Sequence, residues 1–86
     1  GAMEGLDGPE VVLLKRLLDE TVEVVSRARI DAWCRELGLM PDGALESLNE
    51  VAFNVAGDAL FDAEDDIVIH ADIREHLKTL FQGATA

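Results

Sequence analysis

Four stretches of this chain repeat apolar residues at helical spacing, and each is bounded by residues that start or stop a helix. A packed set of short helices is therefore the first expectation. Asp7-Gly8-Pro9-Glu10 has the form of a capping box, with an acceptor at the N-cap, Glu three residues on and Pro in the first turn. Val11, Leu14, Leu17 and Leu18 then fall on one face, and Lys15, Arg16 and Asp19 largely on the other. Ser26 is a good N-cap for a second helix, whose stripe is Ile30, Trp33, Cys34 and Leu37 and whose end is Gly38 in a left-handed conformation. Pro41-Asp42-Gly43 opens a third helix carrying Leu45, Leu48, Ala52 and Val55, closed by Gly57. Asp72 and Glu75 repeat the capping-box spacing around the start of a last stripe of Ile73, Leu77, Leu80 and Phe81.

Between these stretches the period changes. Thr21 to Val25 is rich in β-branched residues, which suggests an extended linker or a short strand. Leu60-Phe61 and Ile67-Val68-Ile69 are short β-prone runs on either side of Asp62-Ala63-Glu64-Asp65-Asp66, the pattern of a small hairpin with an acidic tip. The fold class that follows is mainly α with a small β-hairpin: a winged-helix-like three-helix core plus a C-terminal helix. A plain four-helix domain with a loop in place of the hairpin gives nearly the same pattern. Gly1-Ala2-Met3 looks like an expression scar, so residues 1–8 are expected to be a tail, 9–82 a single domain and 83–86 a frayed end.

With 86 residues and 49% hydrophobic content, the chain can bury one modest core. Its 7 basic and 18 acidic residues give a net charge of −11, which repels a phosphate backbone and disfavours winged-helix nucleic-acid binding. The cations are scattered along the sequence rather than gathered in a stripe. Cys34 stands alone, so an intrachain disulfide is excluded and a reducing cytoplasm fits best. No run approaches the roughly 20 apolar residues that a membrane span requires.

The segment Gly38-Leu39-Met40-Pro41-Asp42-Gly43-Ala44-Leu45-Glu46-Ser47-Leu48-Asn49-Glu50, followed by Ala52, Gly57-Asp58 and Leu60, resembles the TerB-C domain. That module is found C-terminal to TerB in multidomain proteins linked to tellurite resistance, stress response and phage defence. The resemblance spans roughly Val11 to His76 and is most specific from Leu39 to Glu50 with the later Gly57-Asp58. It implies an accessory domain without catalysis, whose acidic positions, here Asp42, Glu46, Glu50 and Asp58, chelate metal together with TerB.

Read from spacing alone, Asp42, Glu46 and Glu50 lie at i, i+4 and i+8, one face of a continuous helix, where hard oxygen ligands suit Ca²⁺ or Mg²⁺. The competing explanation is ordinary: first-turn acids favour the helix dipole, and exposed Glu is common on any soluble helix. The acidic tip matches an EF-hand loop at positions 1, 3 and 5 counted from Asp62, then fails, with Ile67 at the Gly position and Ile73 at the bidentate Glu position. His70 and His76 have no nucleophile paired with them by a known motif, and Cys34 and Trp33 sit on an apolar stripe as core residues. Asn49 is either a structural amide bonding a nearby backbone group or part of a binding face with Asp42, Glu46 and Glu50. The expected function is a non-catalytic, acidic interaction module without a resident cofactor, whose partners are other domains of its parent protein or a basic protein surface.

Overall fold

The start of the first helix forms largely as its residues suggest, with the Asp7 backbone N–H donating to Glu10 Oε1 at 3.0 Å and closing half of a capping box. In the computed structural model, which describes residues 5–85 and side chains as far as Phe81, this helix is α1, Gly8–Asp19. Residues 1–4, which include the expected scar Gly1-Ala2-Met3, and Ala86 lie outside the described residues. The chain then extends through β1, Val24–Val25, so the β-branched run supplies a short strand.

Two side chains start α2, Arg27–Leu37. Ser26 Oγ accepts from the Arg29 N–H at 3.2 Å, as an N-cap should. Asp66, 39 residues along the chain, accepts from the Arg27 N–H at 3.2 Å. The acidic tip is therefore more than a solvated turn, because one of its carboxylates satisfies an otherwise orphaned donor at a helix N-terminus. Gly38 ends α2 at φ +73°, and the Leu39 N–H reaches back to the Cys34 carbonyl at 2.7 Å. That left-handed turn leads straight into α3, Pro41–Ala56, which ends in turn at Gly57 with φ +81°.

β2, Phe61–Ala63, and β3, Ile67–Ile69, form the hairpin. The sheet has three antiparallel strands in the order β1-β3-β2, with Val24 opposite Val68 and Phe61 opposite Ile69. The element order α1-β1-α2-α3-β2-β3 is compatible with a winged-helix arrangement. The last helix, α4, spans Ala71–Thr85. It starts earlier than the Asp72/Glu75 spacing suggests, with Asp72 inside the first turn. The reason lies in the preceding strand: β3 ends at Ile69, the His70 carbonyl already accepts the Arg74 N–H at 2.9 Å, and no acceptor is needed at Asp72. Helical backbone also continues over Gly83 to Thr85, where the sequence suggested a frayed end.

One core joins all four helices and the inner face of the sheet. Leu13, Ile30, Leu48, Leu60, Ile67 and Leu77 are fully buried within it, each contributing about 2 kcal/mol relative to exposure. Leu80 departs from the expected stripe of α4 and is exposed. The inward face there is centred on Ile73, Leu77 and Phe81 and rotated toward Arg74, whose side chain is buried and donates from Nη1 to the Val22 carbonyl at 2.7 Å. Among the described residues no helix is long and apolar enough to cross a membrane.

Candidate functional site

α3 carries the sequence-predicted site residues other than Asp58, and at about 100° per residue its buried and exposed positions separate cleanly. Ala44, Leu45, Leu48, Val51 and Ala52 face the core. Asp42, Glu46 and Glu50 are exposed on the opposite pole, within an arc of about 80° and along a rise of about 12 Å. Arg27 of α2 pairs with Asp42, whose side chain is still 93% exposed. Among the described residues, Glu46 and Glu50 have no ion-pair partner.

Asn49 is adjacent in sequence to this ridge but serves a different purpose. Its Oδ1 accepts from the Leu60 N–H at 3.0 Å and the Phe61 N–H at 3.2 Å, and its Nδ2 donates to the Phe61 carbonyl at 3.0 Å. The amide thus reproduces a strand partner for the outer edge of β2, which would otherwise expose those groups. Asn49 joins α3 to the sheet and is half-buried rather than displayed.

Asp58 lies beyond Gly57, at the far end of α3 from Asp42, and its Oδ1 accepts from the neighbouring Ala59 N–H at 2.8 Å. Cation coordination by oxygen needs ligands within about 2.6 Å of one ion. Asp42, Glu46 and Glu50 are instead strung over about 12 Å of α3, and Asp58 lies beyond its opposite end. They do not fit a single-ion sphere, and among the described residues no group of three or more His, Cys, Asp or Glu side chains is placed to hold a metal ion.

The same segment that Asn49 holds is gripped from its other side by His70. One ring nitrogen, Nδ1, lies 2.8 Å from the Ala59 carbonyl, and Nε2 lies 3.1 Å from Asp62 Oδ2. Both contacts are best made when both nitrogens carry protons, so the Asp62 hydrogen bond first, and the Ala59 carbonyl second, push the His70 pKa above its usual 6.5. His76 is exposed on α4. Cys34 is fully buried, and burial, reinforced by Asp31, pushes its thiol pKa up, which suits a packing role and not a nucleophile.

On the α1–α2 side, two arginines are paired with acids. Arg16 binds Glu36 through two hydrogen bonds of 3.1 and 3.2 Å, which hold the Glu36 carboxyl below its usual range. Arg29 meets Glu20 at 2.6 Å and lies over the Trp33 ring at 4.8 Å. Arg27, Asp31, Arg35, Leu39, Met40 and Asp42 are among the residues lining an open groove of about 550 Å³ at the α2–α3 turn.

One surface residue escaped the sequence reading. Phe53 is 57% exposed and falls on the outward pole of α3, within the same arc as Asp42, Glu46 and Glu50. The signal was present in its spacing, since Phe53 is out of phase with Leu45, Leu48, Ala52 and Val55.

The sequence model of the TerB-C domain matches residues 1–78. No curated protein and no solved structure matches the chain. The match covers most of the sequence and includes every helix but the last part of α4, and the chain belongs to the TerB-C domain family.

Proposed function

We propose that this TerB-C domain is a non-catalytic interaction module within a multidomain bacterial stress-response or phage-defence protein, and that its outward α3 ridge docks a basic surface of a partner domain. A small accessory domain is what membership of this family provides. The observation that carries the interaction reading is the placement of Asp42, Glu46 and Glu50 along the solvent pole of one helix, where among the described residues only Asp42 has an ion-pair partner, in contrast to the paired Arg16–Glu36 and Arg29–Glu20 on the α1–α2 side. A negative ridge of this kind favours basic partners and repels phosphate. In a winged-helix-like arrangement α3 is the helix that would approach nucleic acid, and here it presents carboxylates. The buried thiol of Cys34 suits a cytoplasmic setting.

Co-purification of the tagged domain with the remaining domains of its parent protein tests this, at low and at physiological salt. Replacing Glu46 and Glu50 together with Lys is expected to abolish or sharply weaken the association, and the wild-type complex should weaken as salt rises. If the double variant associates as well as wild type, the α3 ridge is not the contact.

A further inference from the structure

A ridge of charge alone gives steering and little specificity, whereas the outward pole of α3 also carries an aromatic ring. Phe53 is more than half exposed, one turn beyond Glu50 and two turns beyond Glu46. Large aromatic side chains on a surface are the usual energetic centres of interfaces, and they work best where polar contacts surround them and exclude water. The Phe53 backbone carbonyl is already engaged by the Gly57 N–H at 3.0 Å, so the ring sits on the closed last turn of a helix and is held on a rigid element.

Resting on the proposed role of the acidic ridge, we infer that α3 docks an amphipathic basic helix of a partner protein, with an apolar side chain seated on Phe53 and cations reaching Glu46 and Glu50. Charge complementarity selects this occupant. A helix with Lys or Arg four residues apart matches the carboxylates of Glu46 and Glu50, which recur every 6 Å or so along α3. A second copy of this chain docking through the same pole sets ridge against ridge, carboxylate against carboxylate, in a chain of net charge −11. A nucleic acid meets the same repulsion.

Two synthetic peptides of equal length and equal positive charge separate the elements of this inference when titrated by fluorescence anisotropy. One is an amphipathic helix of Leu and Lys; in the other each Leu is replaced by Ser. Wild type is expected to bind the first about tenfold more tightly than the second. Phe53→Ala should remove that preference and leave binding of the Ser peptide unchanged, because an exposed ring contributes little to the fold. Glu46→Lys with Glu50→Lys should weaken both peptides and flatten the salt dependence. If the preference for the Leu peptide persists in Phe53→Ala, the seat on Phe53 is overturned while the acidic ridge stands. If the double Lys variant binds both peptides as wild type does, ridge and inference fall together. A wild-type protein that dimerises in sedimentation, and whose dimer is lost in Phe53→Ala, would overturn the assigned occupant.

Discussion

Asn49 and Glu50 are neighbours on α3, yet one turn of the backbone by about 100° gives them opposite roles. Asn49 spends its amide on three backbone contacts with Leu60 and Phe61. Glu50 is exposed in line with Glu46, and the described residues place no cation against it. The inner flank therefore holds the sheet to the helix, and the outer ridge contributes little to the fold and leaves its field for something else. Polarity on a helix is thus not one property. What separates the two roles is whether each polar atom already has a partner, and stability measurements and binding measurements should separate them in turn.

The largest expected effect lies on the inner flank. Asn49→Ala removes the partner of two N–H groups and one carbonyl at the edge of β2. Part of that loss is restored by water, since the site is half-buried, leaving a destabilisation of about 2 kcal/mol. Urea unfolding checks this. A loss of only a few tenths would mean that β2 is held by its pairing with β3 and that the amide is incidental. Affinity of the folded fraction for the amphipathic peptide should be unchanged.

The His70 contacts act on the same segment but depend on pH. The folded-state pKa of His70 is raised, chiefly by Asp62, so its stabilising contribution is complete below about pH 6.5 and is lost as pH rises through the folded-state value. Once neutral, the ring keeps one N–H for the Ala59 carbonyl and turns a lone pair toward Asp62. Thermal unfolding is expected to show stability falling from mildly acidic to mildly alkaline pH more in wild type than in Asp62→Asn. Equal slopes in the two proteins would show that the Asp62 contact has no energetic consequence, and Asn49, the His70–Ala59 contact and the pairing with β3 would then hold the segment.

These contacts also mark where sequence reasoning succeeds and where it stops. Ser26, Gly38 and Gly57 were legible because caps act on residues three or four positions away, within the window where spacing has meaning. Pairing of Val24 with Val68 was not, because the partner that makes a strand of the run from Thr21 to Val25 lies in a distant part of the sequence. Arg74 is the clearest failure: it read as one more scattered cation, but its guanidinium is buried against a carbonyl 52 residues away. Nothing local distinguishes such an arginine from an exposed one. The candidate ridge was readable as a helical face from Asp42, Glu46 and Glu50, because period alone sets it. Asp58 was grouped with them by resemblance, and the length of α3 separates it.

The smallest effect discriminates most finely, because its two readouts have opposite signs. Glu46 and Glu50 are like charges at i and i+4, an arrangement that destabilises a helix by a few tenths of a kcal/mol. Glu50→Lys converts this into an acid four residues ahead of a base, the favourable orientation, so the variant should be more stable than wild type by about 0.5 kcal/mol at low salt. The gain should shrink as salt approaches 1 M, where the screening length is about 3 Å. Association with the basic peptide should weaken in the same variant. A residue retained for folding cannot give that pair of results, since removing it would lower stability first and binding as a consequence. Conversely, if Glu50→Lys destabilises the domain, Glu50 carries a structural contact and the division between the two sides of α3 fails at its central residue. Gain of stability with loss of binding is what a surface kept for a partner should show.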